Sequence, residues 1–221
     1  MEAVIFDVDG TLYDTRDVSI RVVKECLQEA EKRHGAVIGD IPPENILALF
    51  GETPENIAKK LLPEDFWYLS REILDCIESR EVEAIQNGEG KLFPGVLETL
   101  EELNKRGYVL GIYSNGPTDY FRTILETRGI SPLVDFSTCI GEHPYLQKPG
   151  LLALVKNGLG VRRAAVVGDR HHDIEAARAT KDVAIGAGYG FGGDEVEEAD
   201  AVVQSFPELL ELLPYRTGSV D

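Results

Sequence analysis

Acidic side chains occur in short groups directly after two apolar segments of this chain. Asp7 and Asp9 follow the apolar run 3–6, and Asp169 and Asp173 follow a second apolar run. Carboxylates held this close raise one another's pKa unless a cation neutralises them. Oxygen ligands of this kind suit Mg²⁺. These residues therefore predict a magnesium site.

Hydroxyl, amide and amine side chains occupy comparable positions along the sequence. Ser114 and Asn115 follow a third apolar run, and Gly10 and Thr11 continue the first acidic group. Lys148 lies in a predicted loop just before a helix. Ligands of open parallel sheets bind at the carboxyl ends of the strands. We therefore expect these residues to form one site with the carboxylates.

Short apolar runs alternate with helical patterns over most of the chain, which indicates a parallel sheet with helices on both faces. Strands are predicted at 3–6, 109–113, 135–140, 164–167, 183–185 and 201–203. A last helix is predicted after the capping box that Ser205 and Glu208 can form. The predicted fold class is α/β, a doubly wound parallel sheet.

Residues 16–90 interrupt this alternation, because only helical patterns occur there. Helices are predicted at 18–33, at 44–50, after Thr53, and at 66–85. We interpret residues 16–90, called the cap segment below, as an inserted all-helical cap domain. The α/β core domain is then predicted at 1–15 and 91–221.

The composition excludes some kinds of partner. The chain has 221 residues, and 39 acidic residues against 22 basic ones give a net charge of −17. Binding to nucleic acid or to an anionic membrane needs positive surface, so neither partner is expected. The 3 cysteines are scattered, which predicts reduced thiols without a disulfide. With no apparent signal peptide or membrane-spanning run, we expect a cytoplasmic protein.

Four short motifs resemble those of the haloacid dehalogenase-like superfamily, in its helical-cap phosphatase branch of phosphoglycolate phosphatase-like members. The motifs are Asp7-Val8-Asp9-Gly10-Thr11-Leu12, Ser114-Asn115-Gly116, Lys148-Pro149 and Gly168-Asp169-Arg170-His171-His172-Asp173. Their order and spacing agree over nearly the whole chain, and together they are far more specific than any one alone. The resemblance implies a Rossmann-like core, a mobile helical cap, and Mg²⁺-dependent hydrolysis of a small phosphate ester.

The resemblance also implies a role for each site residue. Asp7 is expected to be the nucleophile that forms an aspartyl-phosphate, and Asp9 the general acid and then base. The expected metal ligands are Asp7, the Asp9 backbone carbonyl, Asp169 and Asp173. The groups expected to bind the phosphoryl oxygens are Ser114, Lys148 and the amides near Gly10, Thr11 and Asn115. Asp173 could instead cap the helix that starts beside it.

Several alternatives remain open at this level. A phosphomutase of the same fold, similar to β-phosphoglucomutase, shares the core motifs, and a catalytically silent interaction module is a further alternative. The oligomeric state, monomer or homodimer, and the precise substrate are undetermined.

Some residues near the motifs have no clear role in the sequence alone. His171 and His172 are expected not to face one ion, since neighbouring residues of a helix point about 100° apart, and His143 lies in a loop near the site. Residues 188–193 match a dinucleotide-binding pattern but precede an acidic run, so we expect a flexible loop. Arg16 and Arg21 are the cations near the cap entrance that could meet an anionic leaving group.

Overall fold

The structure is a computed structural model in which residues 2–216 are described. Its strands are β1 (Ala3–Phe6), β2 (Tyr13–Asp14), β3 (Lys91–Leu92), β4 (Val109–Ser114), β5 (Phe136–Cys139), β6 (Ala164–Gly168), β7 (Val183–Ala187) and β8 (Ala201–Val203). Six of them form a parallel sheet in the order β5-β4-β1-β6-β7-β8. The short β2 and β3 form a separate antiparallel pair.

Eight α-helices of the described range lie between these strands in sequence, and a ninth follows β8. They are α1 (Arg16–His34), α2 (Pro43–Leu47), α3 (Pro54–Leu61), α4 (Ser70–Gln86), α5 (Val96–Lys105), α6 (Thr118–Thr127), α7 (Lys148–Leu159), α8 (His171–Thr180) and α9 (Leu209–Leu212). None of the helices in the described range 2–216 is long and apolar enough to cross a membrane.

Both faces of the sheet are buried, which explains why its strands are continuous apolar runs. Successive strand residues point to opposite faces. Val4 and Phe6 of β1 belong to one apolar cluster, which includes Phe121 of α6. Ile5 belongs to another, which includes Leu151 of α7. The predicted doubly wound α/β fold is confirmed.

Helices α1 to α4 lie between β2 and β3, and they share an apolar cluster of their own. Val22, Ile46, Leu61 and Ile73 are buried in it. The prediction of one helix over 66–85 is wrong, because Glu64–Leu69 forms a 3₁₀-helix before α4 begins. The division into core and cap domains stays a prediction, and its residues 1 and 217–221 lie outside the described range.

Two cysteines are joined across the cap segment, so the prediction of reduced thiols without a disulfide is wrong. Cys26 of α1 and Cys76 of α4 form a disulfide, with a Cα–Cα distance of 6.0 Å. They are 50 residues apart in sequence, and only the packing of α1 against α4 brings them together. Cys139 is a buried free thiol.

Candidate active site

Three buried carboxylates meet at the carboxyl ends of β1 and β6. Asp7 follows β1 and Asp169 follows β6, and these strands are neighbours in the sheet. Asp173 joins them from the first turn of α8. One carboxylate oxygen from each residue lies within 4.8 Å of the others. Their exposed fractions are 2%, 0% and 2%, so water alone does not offset their mutual repulsion.

The donor set of this cluster fits Mg²⁺. Asp7 Oδ2 and Asp169 Oδ1 are buried and have no hydrogen-bond partner among the described residues. Burial and the neighbouring carboxylates raise the pKa of Asp7 well above its usual value. The same two causes raise the pKa of Asp169 to about 7. Unpartnered carboxylate oxygens in this arrangement match the oxygen ligands that Mg²⁺ prefers.

Lys148 supplies the fixed positive charge beside the cluster. Its Nζ lies 3.0 Å from Asp7 Oδ1 and 2.9 Å from Asp173 Oδ1. Burial alone would lower the pKa of this amine, but the two carboxylates more than offset that effect and raise it. The prediction that Lys148 lies in a loop is wrong, because it is the first residue of α7. A helix start fixes its backbone more firmly than a loop would.

Asp173 makes contacts that relate to both of the roles considered for it. Its Oδ1 accepts a hydrogen bond from the Tyr113 hydroxyl at 2.6 Å as well as contacting Lys148. Its Oδ2 accepts one from the Arg170 backbone amide at 3.3 Å, which caps α8. The capping alternative is therefore seen, and it coexists with a position in the carboxylate cluster.

Asp9 is held by a tyrosine that the sequence analysis did not identify. The Tyr120 hydroxyl of α6 donates a hydrogen bond of 2.5 Å to Asp9 Oδ1. Burial raises the pKa of Asp9 to about 6, although the Tyr120 bond and Lys148 act in the opposite direction. A carboxyl with that pKa can both give and take a proton near neutral pH. The sequence signal was an aromatic residue one turn into the helix after the Ser114 motif.

Apart from Lys148, the predicted phosphate-binding residues follow β1 or lie at the end of β4, which are neighbouring strands of the sheet. Thr11 Oγ1 and Asn115 Oδ1 are buried without a hydrogen-bond partner among the described residues. Ser114 Oγ accepts a hydrogen bond from the Gly116 amide at 2.9 Å. Gly10 has a φ of +76°, and a Cβ there would lie 2.1 Å from Asp169 Oδ2. Glycine is therefore needed for the close approach of the first motif to Asp169.

The glycine-rich loop after β7 fixes Asp169, whereas the sequence analysis treated residues 188–193 as a flexible loop. The Phe191 amide donates a hydrogen bond of 2.7 Å to Asp169 Oδ2. A Cβ on Gly190 would lie 2.3 Å from the Asp169 Cβ, and one on Gly192 only 1.9 Å from its carbonyl oxygen. The glycines thus let the loop backbone pack directly on a site carboxylate. The glycine spacing is the sequence signal for this close approach.

The rings of the two adjacent histidines lie close together. Their ring centroids are 3.8 Å apart, and His171, His172 and Glu175 place possible ligand atoms within 4.8 Å of one another. The expectation that these two histidines do not face one ion stays a prediction. His171 Nδ1 lies 2.7 Å from Glu195 Oε2, so this ring already has an acidic partner. His143 is half-buried in the turn before α7.

The turn after α2 brings the cap segment to the site. Asn115 Nδ2 donates a hydrogen bond of 2.6 Å to the Gly51 carbonyl oxygen. The buried guanidinium of Arg170 donates to the carbonyl oxygens of Ala48, at 3.3 Å, and Phe50. These contacts join the second and fourth motifs to one turn of the cap segment. The sequence around Arg170 carries no signal that distinguishes it from a surface arginine, so its role was not predicted.

Comparisons with known proteins show what this chain is similar to. The family model described as haloacid dehalogenase-like hydrolase matches residues 4–186. A phosphoglycolate phosphatase of Yersinia pestis is 31% identical over 227 residues, which cover 95% of this chain and 92% of that protein. One of Aliivibrio fischeri is 26% identical over 227 residues, with 96% of both covered.

A solved structure has the same fold. It is described as a predicted phosphoglycolate phosphatase from Haemophilus somnus 129PT, and it matches with a TM-score of 0.84 at 21% identity. The match covers 97% of this chain and 98% of that one, so the shared architecture includes the helices between β2 and β3.

Proposed function

The chain belongs to the haloacid dehalogenase-like hydrolases and is an enzyme of the phosphatase type, and we propose that it hydrolyses a small phosphate monoester with Mg²⁺ through an aspartyl-phosphate on Asp7. One observation carries this proposal. Asp7 Oδ2 and Asp169 Oδ1 are buried and unpartnered among the described residues, directly beside the buried amine of Lys148. Such groups are costly to bury unless a ligand satisfies them.

In the first step, a carboxylate oxygen of Asp7 attacks phosphorus, and the bond between phosphorus and the ester oxygen breaks. Asp9 gives its proton to the departing alcohol oxygen. The raised pKa of Asp9, about 6, keeps part of the population protonated at neutral pH. The Tyr120 hydroxyl occupies Asp9 Oδ1, which leaves Oδ2 for the leaving group.

In the second step, water attacks the aspartyl-phosphate, and Asp9 now accepts a proton from that water. Inorganic phosphate departs and Asp7 is restored as a carboxylate. Lys148, the Ser114 hydroxyl and the amides near Gly10, Thr11 and Asn115 orient the phosphoryl oxygens throughout and offset their charge.

Asp7, Asp169 and Asp173 would hold Mg²⁺, together with the Asp9 backbone carbonyl. The ion supplies charge neutralisation between the Asp7 carboxylate and the anionic ester. We further propose that residues 16–90 act as a cap that excludes water. The hydrogen bonds from Asn115 and Arg170 to the turn after α2 support this role. Cytoplasmic location, the absence of nucleic-acid or membrane partners and the monomeric or homodimeric state stay predictions.

Replacing the nucleophile tests the proposal. Asp7→Asn should abolish release of inorganic phosphate from a panel of phosphate esters, since an amide oxygen is too weak a nucleophile. The exposed Asp17 of α1 provides the matched control, and Asp17→Asn should keep wild-type rates. Mass spectrometry of acid-quenched wild-type enzyme should detect one added phosphoryl group on the peptide that contains Asp7.

Two results would contradict this mechanism. Turnover that survives in Asp7→Asn would show that another residue attacks phosphorus. Isomerisation of a sugar phosphate with little phosphate release would instead favour the phosphomutase alternative.

A further inference from the structure

A large cavity leads from the carboxylates into the cap segment. It begins at Asp7, Asp9 and Ser114 and has a volume of about 780 Å³. Pockets of roughly 300–1,000 Å³ enclose ligands of drug size. A two-carbon leaving group would fill only a small part of this space, so the cavity, called the cap cavity below, fits a larger alcohol.

The wall of the cap cavity is mainly apolar beyond the catalytic end. Its apolar lining comes from every helix of the cap segment and the turns between them, and it includes Val23, Leu49, Ile57, Trp67, Leu74 and Ile77. Burial of apolar surface on such a wall favours a leaving group with an apolar body.

The side chains that line the cap cavity carry more carboxylic groups than cations. Among the described residues that line it, the cations are Lys59 and Arg71. Both are exposed, and they pair with Glu55 at 2.7 Å and with Asp75 at 3.6 Å. The carboxylic side chains that line the same cavity are Asp7, Asp9, Glu52, Glu55, Asp75, Glu78 and Glu81. An anionic group bound against the buried part of this wall would meet carboxylic side chains and apolar surface, which is unfavourable.

The two arginines predicted near the cap entrance do not alter this balance. Arg16 pairs with Asp14 at 2.9 Å, and Arg21 pairs with Glu89 at 2.6 Å. Neither lines the cap cavity. Neither arginine is therefore placed to meet a leaving group bound in the cap cavity.

One buried polar pair interrupts the apolar wall. The Ser19 hydroxyl of α1 donates a hydrogen bond to Glu81 Oε1 of α4. Both side chains line the cavity, and they are 1% and 8% exposed. Buried polar groups at one point of an apolar pocket usually fix the orientation of a ligand.

We propose that the leaving group is a largely apolar alcohol, larger than two carbons and without negative charge, whose polar substituent hydrogen-bonds to the Ser19–Glu81 pair. This inference rests on the proposed phosphatase function and names the substrate class of the same site. It separates this chain from an enzyme built for phosphoglycolate, whose leaving group is small and carries a carboxylate.

A matched pair of substrates tests the inference. 4-(Hydroxymethyl)benzyl phosphate and 4-carboxybenzyl phosphate have similar size and similar reacting centres, because the substituents are remote from the ester. The wild-type enzyme with Mg²⁺ should hydrolyse the uncharged ester with a kcat/KM at least about tenfold higher. It should also prefer that ester to phosphoglycolate. Release of inorganic phosphate measures the hydrolysis rate of all three esters.

Two variants with the same change in charge locate the effect. Glu78 lines the cap cavity and is half-buried, whereas Glu83 lies on the same helix and is exposed outside it. Glu78→Lys supplies the missing cation and should lower KM for the carboxybenzyl ester by about tenfold. Glu83→Lys should leave the kcat/KM of both esters at the wild-type values.

The failures of the function and of the inference are distinguishable. A wild-type enzyme that hydrolyses phosphoglycolate or the carboxybenzyl ester as well as the uncharged ester overturns the inference and leaves the phosphatase function standing. The inference is also overturned if Glu83→Lys changes the preference as much as Glu78→Lys. Absence of phosphate release from every ester, including 4-nitrophenyl phosphate, overturns the proposed function and the inference together.

Discussion

Glu81 should make the stability of this protein depend on pH in a way that one substitution removes. The side chain is 8% exposed, and burial raises its pKa from 4.5 to about 8. The nearby Asp9 and Glu78 act in the same direction, while the hydrogen bond from Ser19 opposes them. Folding therefore takes up a proton at any pH between these two pKa values.

The sign and size of the effect follow from this proton uptake. A group whose pKa is higher in the folded state destabilises that state progressively as the pH rises between the two values. The slope is about 1.4 kcal/mol per pH unit. Between about pH 5 and about pH 7.5 the wild type should lose about 3 kcal/mol through Glu81, and Glu81→Gln should not.

Urea unfolding at both pH values measures this difference. Any change in the Ser19 hydrogen bond in Glu81→Gln affects both values alike, so the change in the difference between variant and wild type is the relevant quantity. Glu83→Gln, on the exposed face of α4, should differ from the wild type by the same amount at both pH values. An equally constant difference for Glu81→Gln would refute the argument, because Glu81 would then titrate alike in both states.

Two other predictions follow from the loop after β7 and from the cap segment. Gly190→Ala places a Cβ 2.3 Å from the Asp169 Cβ, so kcat should fall by about 10²-fold. Gly193→Asn in the same loop has open space around it and should keep wild-type kcat. Equal rates for both variants would contradict the role given to the loop. The Cys26–Cys76 disulfide closes a loop of 50 residues, which corresponds to about 4 kcal/mol of chain entropy. Dithiothreitol should lower the free energy of unfolding by that amount in the wild type and leave Cys76→Ala unchanged, whereas an equal response of both proteins would argue against the disulfide.

The sheet and the polar strand ends were predictable because their signals are local. A strand buried on both faces must be a continuous apolar run, and β1 and β8 have the bounds expected from the sequence. The polar residues that follow such runs gather at one edge of a parallel sheet. Asp7, Ser114 and Asp169 were found by this rule alone.

The remaining parts of the site depend on contacts between distant segments. Tyr120 reaches Asp9 across 111 positions of sequence, and Arg170 reaches the Phe50 carbonyl oxygen across 120. The disulfide likewise depends on how α1 packs on α4. Neither residue type nor local spacing encodes these pairings, so a single sequence did not reveal them.

The net charge of the chain and the local charges of its site affect substrate binding in different ways. A net charge of −17 gives no long-range attraction to a phosphate ester. The phosphoryl group is therefore captured by local compensation, through the buried Lys148 amine and the proposed Mg²⁺ on Asp7 and Asp169. Lys148 and the proposed Mg²⁺ offset negative charge only at the catalytic end of the cap cavity. A negative charge on the leaving group would meet carboxylic side chains and apolar surface, so the charge distribution that permits phosphate binding would also select against esters with an anionic leaving group.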